Sequence, residues 1–227
     1  NRFRETAKLC KGNVLDIGCG TGDLADFYLG EYIGLDISDV AIKLARENRR
    51  RNAEFANIDF VKPYTSDIGK FDTFVIAEVL EHITDDTILM DNIKKMASDN
   101  ARIIISVPNG DRVPDENHLR TFTVPELRAK FSPFGKVKFI NWIGFEHRIL
   151  MVVDMGEENA DNLTLSMMVW NEEKGLEKAI LSAIEIVDKV VVSVDNKSDD
   201  GTLEIAKRYA DVVKRHEWEN NFAKARN

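Results

Sequence analysis

Two cysteines, Cys10 and Cys19, are the only thiols in this 227-residue sequence. They make neither a disulfide framework nor the paired spacing of a zinc finger, so a reducing, cytoplasmic setting is expected. No apolar run is long enough to cross a bilayer, and no integral membrane segment is expected. No signal-peptide pattern opens the chain, and neither does a methionine. It begins NRFRET, and the true start is expected upstream. Basic arms and interleaved basic and aromatic residues are also missing, and the net charge is -8. That balance excludes a general binder of phosphate backbones, so no nucleic-acid partner is expected. Repeats and low-complexity tracts are absent. The 44% hydrophobic fraction is ordinary for a soluble globular chain. The length exceeds one small domain and falls short of two full-sized ones.

Short apolar runs alternate with helix-like stretches. NVLDIG (13–18), YIGLDI (32–37), AEFANID (53–59), FDTFVIA (71–77) and ARIIISVP (101–108) read as strands. GDLADFYLG (22–30), closed by Gly30, reads as a helix. So does SDVAIKLARENRR (38–50), with Ser38 as its N-cap. EVLEHI (78–83), DTILMDNIKKMAS (86–98) and TVPELRAKF (123–131) are expected to be helical, the last with Pro125 in its first turn. KVKFINWI (136–143) and HRILMVVDM (147–155) are expected to close the set as a strand hairpin. This alternation predicts an α/β fold with a parallel sheet covered on both faces.

VLDIGCGTG (14–22) places Gly18, Gly20 and Gly22 between a strand and a helix. Glycines there let backbone approach a ligand, and a helix N-terminus offers free N–H groups to it. Asp16 precedes the loop, and Asp36 ends the next strand, where a carboxylate can accept both hydroxyls of a ribose. The dinucleotide fingerprint is G-x-G-x-x-G, whereas the spacing here is G-x-G-x-G after an acid. With LDIS (35–38), FDTFVIAEVLEHI (71–83) and RIIISVPN (102–109), this resembles class I S-adenosylmethionine-dependent methyltransferases over residues 1–155. The resemblance implies a Rossmann-like sheet of seven strands, the last antiparallel, with S-adenosylmethionine as cofactor. It puts Asp16, Gly18, Cys19, Gly20 and Gly22 at the methionine part and Asp36 at the ribose. It further implies cofactor contacts from Ile37 and Ala77, and puts Asn57 and Ile58 beside the adenine, with Asp59 as the other alignment.

EVLEH (78–82) follows a predicted central strand, at the strand end where open α/β sheets hold ligands. On a helix, Glu78, Glu81 and His82 would share one face, with Val79, Leu80 and Ile83 opposite. His118, in ENHLRTFTVPEL (116–127), lies in the loop after the fifth strand. The four residues Glu78, Glu81, His82 and His118 resemble the metal set of divalent-cation-dependent O-methyltransferases. That resemblance implies Mn²⁺ or Mg²⁺ activating a hydroxyl acceptor, and the two imidazoles suit Mn²⁺ better. Two other readings stay open: a metal-free site with His82 or His118 as general base, and an amphipathic helix with its polar face in water. His147 and His216 are expected to be structural.

MGEENADN (155–162) is acidic and polar, and residues 156–161 are expected to be a linker. Beyond it, strands at 162–170, 187–195 and 211–216 alternate with helices at 174–186 and 197–210, a small core expected to leave a sheet edge exposed. WNEE (170–173), VDNKSDDGT (194–202) and FAKARN (222–227) resemble the start of family 2 glycosyltransferases with the GT-A fold. The resemblance implies a truncated nucleotide-sugar-binding portion over residues 162–227, with Asn171, Glu172, Asp195 and Asp200 near the nucleotide. Asn196 and Lys197 depart from that pattern. The family's D-x-D motif is expected beyond Asn227, so sugar transfer by this portion alone is not expected.

These readings add up to a methyltransferase of a sugar or other hydroxyl acceptor in glycan biosynthesis. The alternatives are a metal-free methyltransferase of a quinone or lipid, and a cofactor-binding module without activity.

Overall fold

The computed structural model describes residues 2–48, 52–64, 68–140, 147–157 and 163–219. The expected ends of the 38–50 helix and the 136–143 strand, most of the 156–161 linker and the FAKARN stretch lie outside the described residues. Seven strands form the first sheet: β1 (Val14–Ile17), β2 (Tyr32–Asp36), β3 (Ala53–Asn57), β4 (Phe71–Ala77), β5 (Ala97–Pro108), β6 (Gly135–Ile140) and β7 (Arg148–Met155). Their order is β3-β2-β1-β4-β5-β7-β6. Neighbours among β1 to β5 pair in parallel, and β7 runs antiparallel to both β5 and β6. The expected seven-stranded sheet with an antiparallel last strand is therefore present.

Side-chain alternation explains the near-continuous apolar runs. Phe74 and Ile76 of β4, with Ile103 and Ile105 of β5, enter one core. Val75 and Ile104 enter the other, with Tyr32, Leu150 and Val152. A strand buried on both faces must be apolar at odd and even positions alike. The helices α2 (Asp39–Glu47), α3 (Thr87–Met96) and α4 (Val124–Phe131) lie within the expected helical stretches. Ser38 accepts the Ala41 N–H at 3.2 Å. Thr123 and Glu126 form a reciprocal capping box, with proline in the first turn of α4. An additional helix, α1 (Arg2–Leu9), buries Thr6 and Ala7.

The predicted helix at 22–30 is reduced to one 3-10 turn, Asp23–Asp26. Gly18, Gly20 and Gly22 all have φ between 55° and 77°. The crossover to β2 thus spends much of its length in a left-handed loop. Asp23 also bonds the Thr21 hydroxyl at 2.8 Å instead of continuing a helix.

The second sheet holds β8 (Thr164–Val169), β9 (Lys189–Asp195) and β10 (Val212–His216), all parallel, in the order β10-β9-β8. Two helices connect them, α5 (Leu176–Ala183) and α6 (Thr202–Tyr209). Both edge strands keep exposed positions, as expected for so small a unit. Its core is continuous with the first one: Leu127 and Phe131 of α4 share a cluster with Leu176, Ile180 and Tyr209. Among the described residues no helix is long and apolar enough to cross a membrane.

Candidate active site

The carboxyl ends of β1 to β4 bring the expected cofactor residues together. Asp16 is buried, and Tyr32 donates its hydroxyl hydrogen to it. Burial pushes the Asp16 carboxyl up to about 7, the Tyr32 bond opposes that shift, and the nearby Asp36 charge adds to it. Gly18 sits at φ 75°, and a β-carbon there would lie 2.4 Å from Val79 Cγ2. Gly20 faces open space, so the loop presents bare backbone to the cleft. Asp36 accepts the Gly20 N–H at 2.9 Å and the Ser38 N–H at 2.8 Å. A carboxylate has lone pairs beyond these two, so acceptor capacity is left.

Asn57 donates its amide to the Asp36 carbonyl at 3.1 Å, and Ile58 donates its N–H to the same oxygen at 3.1 Å. Asp59 turns away into a local turn with Lys62, paired at 2.9 Å. Asn57, not Asp59, thus lies against the end of β2. Ile37 is 74% exposed at the lip, Ala77 is half-buried at the end of β4, and Cys19 is half-buried in the loop.

EVLEH does not form the expected helix. Glu78 takes a left-handed φ of 57°, and a 3-10 turn covers only Leu80–His82. A non-glycine residue held there costs about 1–3 kcal/mol and needs surrounding structure to hold it. That structure is visible. The Glu78 N–H donates to the Ser106 carbonyl at 2.9 Å. Its carboxylate accepts from Ser106 Oγ at 2.8 Å and from Arg148 Nε at 2.9 Å. The twist at Glu78 turns Glu81 inward, to 1% exposure, so the helix face in water is excluded. Neither Glu81 carboxylate oxygen has a hydrogen-bond partner among the described residues. Burial raises the Glu81 carboxyl to about 7.

Two imidazoles meet that carboxylate. Ligand atoms of Glu81, His82 and His118 all lie within 4.8 Å of one another. The two rings are 5.2 Å apart, centre to centre. His82 Nδ1 lies 3.0 Å from the Asn117 carbonyl, which orients the ring and leaves Nε2 available. The Leu119 and Arg120 N–H groups close on the Glu81 carbonyl at 2.8 and 3.2 Å. Of the four residues expected to converge, three do. Glu78 is held by Ser106 and Arg148 instead. A buried carboxylate with no donor is costly unless a cation or proton joins it.

In the second unit, the strand ends surround a cavity of about 430 Å³ walled by Trp170, Trp218, Asp195, Lys197 and His216. Of the four expected residues only Asp195 reaches it. Asn171 exchanges hydrogen bonds with Asp199 at 2.9 and 3.1 Å. Asp200 accepts from the Thr202 N–H at 3.0 Å and the Glu173 N–H at 3.1 Å, and the Glu172 N–H donates to Thr202 at 2.7 Å. These three residues tie turns together. Trp170, Trp218 and His216 were not among the expected set, although His216 pairs in register with Asp195. An aromatic residue just past each outer strand was the readable signal.

Residues 10–139 match the family model described as methyltransferase domain. The chain belongs to this methyltransferase family. Residues 164–227 match glycosyl transferase family 2, so a partial domain of that type follows. The chain is 25% identical over 171 residues to a ubiquinone biosynthesis O-methyltransferase of Thiobacillus denitrificans, covering 73% of this chain and 71% of that one. It is 31% identical over 106 residues to a ubiquinone biosynthesis O-methyltransferase of Glaesserella parasuis, covering 42% of this chain and 45% of that one. Its fold is similar to the plantazolicin methyltransferase BpumL in complex with a triazolic desmethylPZN analog and SAH. That likeness has a TM-score of 0.53 at 16% identity and covers 69% of this chain and 81% of the other.

Proposed function

We propose that the chain is an S-adenosylmethionine-dependent O-methyltransferase that uses a divalent cation and acts on a sugar or other hydroxyl acceptor in glycan biosynthesis. One observation carries the metal: the buried Glu81 carboxylate, with no hydrogen-bond partner among the described residues, lies within 4.8 Å of ligand atoms of His82 and His118. An oxygen and two imidazole nitrogens suit Mn²⁺, with Mg²⁺ second. Glu78 is not a ligand in this proposal. It braces the turn through Ser106 and Arg148.

S-adenosylmethionine supplies a methyl group on a sulfonium, and a bound cation lowers the pKa of an acceptor hydroxyl. The chain's own groups do the rest. Gly18, Gly20 and Gly22, with Cys19 between them, keep the loop backbone open to the methionine end. Asp16, pushed up to about 7 by burial, meets the ammonium there. Asp36 takes the ribose hydroxyls. Ile37, Asn57, Ile58 and Ala77 enclose the adenosine. Contact between Gly18 and Val79 joins this half to the Glu81 turn, so donor and acceptor share one cleft. The sugar acceptor is supported by the adjoining partial glycosyltransferase domain, which is an association between domains. That second unit is proposed to bind a nucleotide-sugar at the Trp170–Trp218 cavity. It is proposed not to transfer sugar unaided, because among the described residues Asp195 is the one carboxylate lining that cavity.

Titrating Mn²⁺ by calorimetry into the chain holding S-adenosylhomocysteine tests the proposal. Saturable binding that Glu81→Ala abolishes is the expected result. Equal heats in both proteins would overturn it. The similarity to a ubiquinone biosynthesis O-methyltransferase favours a quinone acceptor, and the second reading is a metal-free methyltransferase of such an acceptor. There a histidine, or Glu81 itself near neutral pH, would act as general base. Full activity in chelator would select it.

A further inference from the structure

The loop that brings His118 to Glu81 is gripped at its root by the second unit. Its first residue, Asn109, is wholly buried and donates its side-chain amide to the Tyr209 hydroxyl at 2.8 Å. Tyr209 in turn donates to Glu177 at 2.6 Å. Arg112 forks onto the same Glu177 carboxylate, with its second contact at 2.7 Å. The Arg208 guanidinium lies 3.6 Å from where a β-carbon of Gly110 would stand. Burial works against the Glu177 charge, but Arg112 and Tyr209 outweigh it and hold the carboxyl below its usual range.

The far end of the loop is held as well. α4, which follows it, joins the second unit through Arg128 and Asp211 at 2.8 Å. Asp211 also accepts the Val190 N–H at 2.8 Å, so β9 is tied to the same bond. Between these two anchors lie Asn117, which orients His82, and His118 itself. Leu119 and Arg120, which bond the Glu81 carbonyl, lie there too.

We infer that Tyr209 and Glu177, although they belong to the glycosyltransferase-like unit, are positioning residues of the methyltransferase's cation site. They hold the root of the 109–122 loop so that its tip closes on Glu81 and His82. This rests on the metal assignment above. Each acts through Asn109 and Arg112. Outer partners of metal ligands tune affinity by about 10–100-fold, and a more distant pair belongs at the low end of that range.

The test compares Tyr209→Phe and the double variant Tyr209→Phe/Glu177→Gln with the unaltered full chain. Mn²⁺ affinity is measured by calorimetry, and amide hydrogen exchange is followed at Leu119 and Arg120. The double variant is expected to bind Mn²⁺ about tenfold more weakly, with S-adenosylhomocysteine affinity unchanged. Leu119 is expected to exchange faster while the β4 and β5 amides keep their protection. Tyr209→Phe alone, the milder change, is expected to move both readouts in the same direction. Unaltered Mn²⁺ affinity and Leu119 exchange in the double variant would overturn the inference. So would a uniform loss of protection through β4 and β5, which assigns the pair to general stability. If the unaltered chain and Glu81→Ala both ignore Mn²⁺, the metal assignment fails separately, and Leu119 exchange still decides whether the second unit holds the loop.

Discussion

Both sheets carry acids and amides at the carboxyl ends of parallel strands, and the two sets have opposite fates. At the first sheet, the buried Glu81 carboxylate has no hydrogen-bond partner among the described residues, and Gly20 faces open space. At the second, Asn171, Asp199, Asp200 and Thr202 bond one another across neighbouring turns. Polar groups engaged with their own neighbours have less bonding capacity left for a ligand. A buried carboxylate with no partner keeps all of it. Strand-end acids therefore differ as binding candidates by how far their own turns engage them.

The sharpest break of that contrast is at Glu81. Glu81→Ala is expected to lower Mn²⁺ affinity by about a hundredfold or more, judged by calorimetry. Asp200→Ala is expected to leave it untouched. Asp16 gives the next largest effect. Its folded carboxyl holds a proton to about pH 7, whereas an unfolded one releases it near the ordinary aspartate value of about 3.9. The native chain therefore binds more protons between those limits, and unliganded stability falls as pH rises through that window. Asp16→Asn is expected to stabilise the unliganded chain at pH 8 by on the order of 2–4 kcal/mol, as read by urea denaturation. S-adenosylhomocysteine affinity is expected to drop about tenfold per pH unit below 7, and the variant should flatten that slope.

In the second unit, Trp170→Ala is expected to weaken binding of a nucleoside diphosphate by about 1–3 kcal/mol, the usual worth of one stacked base. Intrinsic fluorescence would follow it. Thr202→Val removes a buried hydroxyl that bonds Glu172 and Asp200. It is expected to cost about 1 kcal/mol of stability in a thermal melt while nucleotide affinity holds. An equal loss of affinity in both variants would erase the distinction between lining residues and turn residues.

Much of the architecture could be read from apolar runs, because strands such as FDTFVIA and ARIIIS are buried on both faces and carry little else. Ser38 and Pro125 marked helix starts through local preferences that depend on no distant partner. What sequence reading missed depends on distance. The left-handed turn at Glu78 is fixed by Ser106 and Arg148, and the Glu81 carbonyl by Leu119 and Arg120. No helical wheel over residues 78–83 contains those partners, so it grouped Glu78 with Glu81 and His82, whereas the fold brings His118 to that pair. His118 could be named from its loop and motif, but its closeness to His82 comes from the fold. Likewise, the internal bonds of the Asp-rich turn in the second unit are invisible in sequence.

The core shared across α4 has a thermal consequence. Leu127 and Phe131 have no exposed surface because α4 is enclosed between the first sheet and the second unit, and Tyr209 is fully covered by the same contact. Losing either unit would open that layer to water and leave the Arg128–Asp211 and Arg112–Glu177 pairs half-broken. Neither unit can melt without dragging down the other. Scanning calorimetry should record a single peak whose van't Hoff and calorimetric enthalpies agree, in place of the two peaks of independently folding domains.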